Sequence, residues 1–432
     1  MRLFNTLLFV LFALSANAAD GTVGTVSVQK ENNLSVNGEA PLSLTLDGKD
    51  PQSCQFLSKR APDENHEFTW KEVTTTRGGE LAEILGDQLR SVDSLVVKGY
   101  VNDKDFHAMW DASLYGYLSV INLKNAVLEN NAVPDTAFFH ENEQYEGSSH
   151  EIFYYIGLRK IILPEGLEKI GEGAFYQASA LRQVNFPSTL RYIGDFAFNA
   201  TKLEMNQLVI PEGVEEINQY AFAFCRKLKA QVILPSTIKK IGEWAFYGCP
   251  ITSINLPEGL ESLGSLAFWD CDLREVSIPS SCHEFNEGWQ FGFNRNLEKM
   301  HLPEGMTEIP DHFAVDCFRL REVNFPHTLK HIGEKAFSLC ISLKNVELPL
   351  GMQSLGEEAF SELEALEQIV FPASMKSLGK NSCSYWKNIK RIYCAAMEPP
   401  VCDPTDGGVF SGFDFPDGFD TPVVYIPKGT IN

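Results

Sequence analysis

The chain has 432 residues, of which 44% are hydrophobic and 22% are charged, so it can bury a sizeable core and is not composed like a disordered polymer. Asp and Glu together number 57 against 36 Lys and Arg, which gives a formal net charge of -21 at pH 7. A field of this sign repels a phosphate backbone, so the charge excludes nucleic acid as the expected partner.

The N-terminus has the features of a secretory signal peptide, which we assign to residues 1–18. Arg2 precedes an apolar run over residues 7–14, and Ala16 and Ala18 provide a small-x-small cleavage site. No later run approaches the ~20 apolar residues that a membrane span requires. We therefore expect an exported protein without a membrane span, at the cell surface or secreted, with the periplasm as the alternative compartment.

A proline recurs through the middle of the chain at intervals of 22, 23 or 24 residues. The ten prolines are Pro164, Pro187, Pro211, Pro235, Pro257, Pro279, Pro303, Pro326, Pro349 and Pro372. Around each one the unit follows L-x-x-[IV]-x-[LF]-P-x-x-L-x-x-[IL]-G-x-x-A-F-x-x-C, as in LREVNFPHTLKHIGEKAFSLC at 320–340. This period is typical of leucine-rich repeats, in which one unit buries its apolar edge only by stacking on its neighbours.

The predicted fold is a mostly β, α/β-type repeat solenoid, a right-handed leucine-rich repeat of about ten rungs over residues 158–388. Residues 81–157 are interpreted as irregular N-terminal repeats, and residues 389–432 as a C-terminal capping segment. Residues 19–80 contain the alternating segments VGTVSVQKENNLSV and APLSLTLDG, which favour a small β-rich cap or pre-domain.

The segment after each proline resembles that of the BspA-like leucine-rich repeat family. The family mark, I-G-x-x-A-F-x-x-C after L-P-x-x-L, stands here as IGEGAF at 170–175, IGDFAF at 193–198, IGEWAFYGC at 241–249 and IGEKAFSLC at 332–340. The resemblance implies a bacterial surface or secreted protein that adheres to host extracellular proteins or to other microbes.

Some positions in the units have a structural interpretation. The glycine after Ile or Leu, as at Gly356, suits a bend where a side chain or a φ restriction would obstruct the turn. The sixth unit lacks the Ala-Phe pair and places Cys282 at a Leu position, and the seventh reverses the pair as Phe313 and Ala314. A bend of the solenoid and a local specialisation both remain open for these two units.

Five cysteines occupy one rung position, fourteen residues after their prolines: Cys225, Cys249, Cys271, Cys317 and Cys340. Neighbouring strands lie ~4.8 Å apart, which permits bridging, but a run of three and a run of two cannot all pair. We expect these thiols to be buried as small apolar residues. Near the C-terminus, Cys383, Cys394 and Cys402 could form one bridge.

No motif of an enzyme or a metal site is recognisable. His327 and His331 lie four residues apart at exposed rung positions, and the chain has no H-E-x-x-H, Gly-rich phosphate loop or G-x-S-x-G motif. We expect no enzymatic activity and no cofactor. The one alternative is calcium at clustered aspartates, for which Asp-Gly turn chemistry is the competing explanation: Asp403, Asp406, Asp414, Asp417 and Asp420.

Two surface columns are candidate binding sites, because the inward columns of a solenoid are committed to its core. Strand side chains alternate, so the column two residues before each proline should face outward, and its first half is apolar and small: Ile162, Asn185, Val209, Ile233 and Asn255. The second candidate is an aromatic column nine and twelve residues after the proline: Phe196, Tyr220, Trp244, Tyr176, Tyr247 and Trp269. Exposed aromatic residues mark interfaces, whereas packing against neighbouring turns would make this column outer core.

These observations predict an exported, non-enzymatic and monomeric binding protein, whose partner is a host or bacterial protein or glycoprotein. Two alternatives stay open. In the first, the protein binds a glycan or polysaccharide, and the aromatic column is a stacking platform. In the second, it is a structural scaffold of the periplasm.

Overall fold

The structure is a computed structural model that describes residues 29–30, 42–43, 67–139, 156–402, 408–411 and 422–428. The chain divides into two compact units, one formed by Met1–His66 with Asn142–Tyr155 and the other by Glu67–Glu141 with Ile156–Asn432. The predicted signal peptide, residues 1–18, lies outside the described residues.

The described part of the first unit is a two-stranded antiparallel pair. Strand β1 spans Gln29–Lys30 and strand β2 spans Leu42–Ser43, with Gln29 opposite Ser43. Each strand lies in one of the two segments whose alternation predicted β structure.

The second unit begins with three long strands and two short helices. In chain order these are β3 (Trp70–Thr75), α1 (Leu81–Leu85), a 3₁₀ turn (Gly86–Arg90), β4 (Ser94–Val101), α2 (Asp103–Tyr115), β5 (Val120–Leu128) and a second 3₁₀ turn (Glu129–Asn131).

Helix α2 is held by a capping box. The Asn102 side chain accepts from the Lys104 N–H at 3.1 Å, and the Asp105 carboxylate accepts from the Asn102 N–H at 3.0 Å. Asp105 is buried and also accepts from the N–H groups of Gly79 and Leu81, at 2.7 and 2.9 Å. One carboxylate therefore joins the start of α2 to the start of α1.

After β5 the chain builds two series of short strands. The first series precedes the proline of its rung, except β27, whose rung has none at that position: β7 (Lys160–Ile162), β9 (Gln183–Val184), β11 (Gln207–Val209), β13 (Gln231–Ile233), β15 (Ser253–Asn255), β17 (Glu275–Ser277), β19 (Lys299–His301), β21 (Glu322–Asn324), β23 (Asn345–Val346), β25 (Gln368–Phe371), β27 (Arg391–Cys394) and β29 (Val423–Tyr425). The second follows the proline by about five residues, except β6, which has no proline before it in its rung, and β28, which directly follows Pro400: β6 (Ala132–Val133), β8 (Lys169–Ile170), β10 (Tyr192–Ile193), β12 (Glu216–Ile217), β14 (Lys240–Ile241), β16 (Ser262–Leu263), β18 (Glu284–Phe285), β20 (Glu308–Ile309), β22 (His331–Ile332), β24 (Ser354–Leu355), β26 (Ser377–Leu378) and β28 (Val401–Cys402).

Pairing within both series is parallel and in register with the repeat. Gln207 lies opposite Gln231, which lies opposite Ser253, and Ile193 lies opposite Ile217. The first series continues the sheet of β3, β4 and β5 through β7 to β9, and further sheets follow. The result is a parallel-strand β-solenoid of about 13 turns with little helix, which confirms the predicted class with slightly more turns than the ten prolines indicated.

The core consists of columns that run from rung to rung. The Phe of each Ala-Phe pair is fully buried, and the rings of Phe175, Phe198, Phe222 and Phe246 stack with centroids 5.2 to 5.3 Å apart. Face-to-face contact at this spacing follows from the solenoid, because identical side chains in neighbouring rungs must lie one strand spacing apart.

The Ala-Phe segment is a turn that hydrogen-bonds to the next rung. The N–H groups of Tyr220, Phe222 and Phe224 donate to carbonyls of residues 243, 245 and 247, at 2.8 to 2.9 Å. Tyr220 and Phe224 both have positive φ, at 55° and 59°, and the same two positions are left-handed in most rungs. This conformation is unfavourable for bulky residues, so the hydrogen bonds between rungs hold it in place.

Neighbouring rungs are also joined in pairs on the side of the proline. The Thr189 hydroxyl donates to the Leu167 carbonyl at 2.7 Å and accepts from the Gly166 N–H at 2.9 Å. The same two contacts recur in every second rung, where the hydroxyl belongs to Thr237, Ser281 and Thr328. The alternation of P-E-G with P-x-[ST] from Pro164 to Thr328 is the sequence form of this pairing.

The glycine of the I-G segment is required by close approach and not by its φ angle. A Cβ on Gly356 would lie 2.6 Å from the backbone nitrogen of Glu334 in the preceding rung, and its φ is outside the positive range. Of the two reasons expected for this glycine, steric obstruction by a side chain is confirmed and a special φ is not needed.

Regularity is interrupted at the sixth and seventh rungs. The second series breaks between β18 and β20, and the ring of Phe313 lies at 76° to that of Phe291 instead of parallel to it. In the sixth rung Gly292 leaves the space that the Trp269 ring occupies, since a Cβ there would overlap the ring. The irregular sixth unit therefore includes a glycine where a side chain would overlap the Trp269 ring.

Candidate functional site

The column two residues before each proline faces outward, as expected from strand alternation. Asn185, Val209 and Asn255 are exposed, and Ile162 and Ile233 are half-buried. The strand residues between the two outward columns of these rungs are buried except Val184, which is half-buried. This column and the parallel column two residues earlier therefore form an accessible strand face.

This strand face contains no carboxylate from β4 to β15, whereas Glu72 of β3 is exposed and lies opposite Val96 in the same column. Between β4 and β15, its fourteen outward residues include one lysine and no Asp or Glu: Ser94, Val96, Val120, Asn122, Lys160, Ile162, Gln183, Asn185, Gln207, Val209, Gln231, Ile233, Ser253 and Asn255. From β17 onwards the outward positions include charged side chains. The Glu275 carboxylate lies 3.3 Å from Nε2 of His301, and Nζ of Lys299 lies 3.2 Å from the Glu322 carboxylate. We call the part from β4 to β15 the carboxylate-free strand face.

Two of the predicted surface residues also have a structural task. The Asn185 amide accepts from the Leu163 N–H at 2.7 Å and donates to the Leu163 carbonyl at 3.0 Å. Asn255 makes the same pair of contacts with Leu234, at 2.9 and 3.3 Å. These amides replace a missing ladder bond, so a bound ligand finds their hydrogen-bonding groups largely occupied. Val209, Ile162 and Ile233 are not committed in this way.

A groove of about 660 Å³ opens on this face beside β7, β9 and β11. Its lining includes Lys160 and Ile162 from β7, Val184 from β9, and Met205 and Gln207 from the third rung. The groove lies where β9 ends one sheet and β11 begins the next.

The expectation that the aromatic column is exposed is wrong for four of its six members. Tyr176, Tyr220, Tyr247 and Trp269 are buried, each 3 to 7% exposed, and Phe196 and Trp244 are half-buried. The physical reason is the turn geometry. The residue nine positions after the proline is left-handed, and its ring packs on the same residue of the next rung. The rings twelve positions after the proline pack against other aromatic rings, as Tyr176 does on Phe196 and Trp269 on Phe293. The alternative of an outer core describes this column correctly.

The geometry of the stack leaves Tyr220 no open ring face on which a sugar could stack. The Phe196 and Tyr220 rings are stacked at 4.7 Å and 8°, and the Tyr220 and Trp244 rings at 5.3 Å and 17°. Sugar stacking requires an accessible ring face, but each of these contacts covers one. Desolvation in the stack raises the pKa of the Tyr220 hydroxyl above its ordinary value of 10.0.

The cysteine column is buried, and its thiols hydrogen-bond to backbone carbonyls. The Cys249 thiol donates to the Phe222 carbonyl of the preceding rung at 2.9 Å, and in the irregular sixth rung the Asn294 amide makes the equivalent contact with Phe268 at 2.7 Å. Burial raises the pKa of the Cys249 thiol well above its ordinary value of 9.0. All nine cysteines among the described residues, including Cys383 and the pair at 394 and 402, are free thiols.

The histidine and aspartate candidates give no metal centre in the described part of the chain. His331 contacts the Ser354 hydroxyl at 2.7 Å, and His327 is exposed. No group of three or more His, Cys, Asp or Glu residues in the described ranges could hold a metal ion. The five aspartates considered for calcium, Asp403, Asp406, Asp414, Asp417 and Asp420, lie outside the described residues. Within those ranges, no helix has the length and apolar character to cross a bilayer.

Sequence reasoning missed the groove, although a signal for it exists. Pro187 lies six positions after Leu181, but Pro211 lies eight positions after Leu203. The two extra residues, Met205 and Asn206, displace the third rung from the second and create the space. A comparison of Leu-to-Pro intervals would have found them.

Parallel strands, a constant rung and aligned Leu, Ile and Phe columns together define a leucine-rich repeat solenoid. The chain belongs to the family described as the BspA type leucine-rich repeat region, which matches six copies over residues 148–232, 229–330 and 309–397. No curated protein matches the chain.

Several solved structures are similar to this chain at low identity. A leucine-rich repeat protein from Bacteroides ovatus is 20% identical over 87% of this chain and 94% of its own, with a TM-score of 0.45. A leucine-rich cell surface protein from Faecalibacterium prausnitzii is 20% identical over 65% and 84%, with a TM-score of 0.35. The pneumococcal vaccine antigen PcpA is 16% identical over 95% of each chain, with a TM-score of 0.35.

Proposed function

We propose that this protein is an exported, non-enzymatic binding protein of the bacterial cell surface, which holds a protein or glycoprotein partner on its carboxylate-free strand face. The observation that carries the proposal is that face itself. In a chain with a net charge of -21, fourteen adjoining outward positions carry no carboxylate, and Val209 is 50% exposed among them. An apolar and amide surface framed by charge is typical of an interface.

The test is a binding array that carries matrix glycoproteins, serum glycoproteins and purified glycans, probed with the chain from residue 19 onwards. The variant Val209→Asp places a carboxylate in the carboxylate-free strand face. The matched control is Val370→Asp, because Val370 occupies the same rung position in the charged half and is 47% exposed.

We expect binding to a protein or glycoprotein that is lost in Val209→Asp and kept in Val370→Asp. Equal behaviour of the two variants would contradict the choice of surface. Loss of binding after enzymatic deglycosylation of the partner would favour the glycan alternative. A folded chain that binds no spot of the array would favour the periplasmic scaffold instead.

A further inference from the structure

We propose that the groove between β9 and β11 binds an extended peptide segment that carries acidic side chains. This inference rests on the proposed binding function, since it names the chemistry of the partner at one part of the carboxylate-free strand face. It depends on three properties of the groove, which are its backbone edges, its charges and its lining.

The first property is that two strand edges face the groove without pairing to each other. The backbone N–H of Gln183 donates to the Arg159 carbonyl, on the side of β7. Because backbone groups alternate along a strand, the backbone N–H and C=O of Val184 point to the opposite side, towards the third rung. The Gln231 N–H donates to the backbone carbonyl of Asn206, so Asn206 points towards β13. Because backbone groups alternate along a strand, the backbone N–H and C=O of Gln207 point back towards β9. The ladder between these rungs consists of one bond before the strands, from the Glu204 N–H to the Arg182 carbonyl at 2.9 Å.

These backbone groups are suited to a peptide. An extended segment recognises a strand edge through its own N–H and C=O groups, while alternate side chains enter neighbouring pockets. The side-chain amides of Gln183 and Gln207 line the same groove. Each has an NH₂ group that can donate a hydrogen bond and an oxygen that can accept one.

The second property is the presence of two lysines that form no ion pair within the described part of the chain. Lys124 and Lys160 line the groove, and neither forms an ion pair with a described residue. Of the two carboxylates of the lining, Glu204 pairs with Arg182 at 2.8 Å, whereas Glu165 accepts from the Ser188 N–H and hydroxyl at 3.2 and 2.9 Å and keeps its charge. With Arg182 counted, three cations face two carboxylates, so in a chain of net charge -21 this groove carries a small positive excess that favours a partner with carboxylates.

The third property is the lining, which favours a peptide over an acidic glycan. The apolar part is aliphatic, from Ile162, Val184 and Met205, and none of the twelve described lining residues is aromatic. Sugars are held by stacking on aromatic faces, whereas branched and unbranched aliphatic side chains pack against aliphatic surface. An acidic glycan is therefore the alternative outcome of the test.

The probe is a bead-displayed library of random octapeptides, screened with the chain from residue 19 onwards. The double variant Lys124→Glu with Lys160→Glu reverses the charge of the groove. Lys227→Glu is the matched control, because Lys227 is an exposed lysine without a described ion pair that does not line the groove. Both variants change exposed or half-buried side chains, and circular dichroism confirms that they fold.

We expect Asp and Glu to be enriched over the input library with the unmodified chain and with Lys227→Glu. The double reversal should weaken binding of the most enriched peptide by about tenfold or more, and so should 1 M salt, at which the Debye length is about 3 Å. An absence of acidic enrichment, or enrichment that the double reversal leaves intact, would overturn the inference. So would lysine-dependent binding of tetragalacturonate that displaces the peptides, which would assign the groove to an acidic glycan.

The two proposals fail separately. If the array partner is lost in Val209→Asp while no acidic peptide is enriched, the binding function stands and the peptide inference falls. If acidic peptides bind the groove but the Val209→Asp variant still binds the array partner, the strand face is not the site of that partner.

Discussion

The Tyr220→Ala substitution tests whether the aromatic column is structural. Tyr220 is 7% exposed, and its ring stacks on those of Phe196 and Trp244 at 4.7 and 5.3 Å. Truncating a buried aromatic side chain to Ala costs about 3 to 5 kcal/mol, because apolar area is lost and a cavity remains. Each stacked pair accounts for about 0.5 to 1.5 kcal/mol beyond area burial, so loss of two pairs places Tyr220 in the upper part of that range.

The assay is equilibrium urea denaturation followed by far-ultraviolet circular dichroism. We expect the free energy of unfolding to fall by about 4 to 5 kcal/mol in Tyr220→Ala. The control Val209→Ala changes a side chain that is 50% exposed on the strand face, and we expect a loss of about 0.5 kcal/mol or less. A loss below about 1 kcal/mol in Tyr220→Ala would refute the outer-core assignment and restore the column as a candidate ligand surface.

Two further predictions concern single positions. Gly356→Ala should destabilise the protein by about 1 to 3 kcal/mol, because the new Cβ would lie 2.6 Å from the Glu334 nitrogen, whereas Gly351→Ala in the same rung meets nothing nearer than 3.9 Å and should be neutral. Equal urea midpoints for the two alanine variants would contradict this steric explanation. The His312 ring stacks on the Trp289 ring, with their centroids 3.6 Å apart. Burial lowers the pKa of His312 below the ordinary 6.5. Lys335 acts in the same direction, whereas Glu334 and Asp311 raise this pKa. Since the unfolded chain binds this proton more readily, stability should fall as the pH drops below about 6.5, and His312→Gln should lose less Tm between pH 8 and pH 5 than the unmodified chain. An identical loss of Tm in both proteins would show that His312 does not contribute.

The repeat fold could be predicted in detail because a solenoid converts sequence spacing directly into spatial columns. A proline every 22 to 24 residues placed the rungs, and strand alternation placed Val209 outward and Leu208 inward. The buried cysteine column followed from the same reasoning. These features depend only on the position of a residue within its own rung, which the order of amino acids specifies.

The candidate site was less predictable, because it depends on how one rung meets the next. Whether Tyr220 is exposed is decided by a ring from each neighbouring rung, and whether Asn185 is available is decided by the backbone of Leu163. The groove arises from a mismatch between the second and third rungs, with Met205 as part of the surplus. Sequence alone therefore determined the period, the columns and the direction of each strand side chain, since these are properties within a rung. Only the tertiary structure decided burial, hydrogen-bond commitment and the open ladder, since these are contacts between rungs.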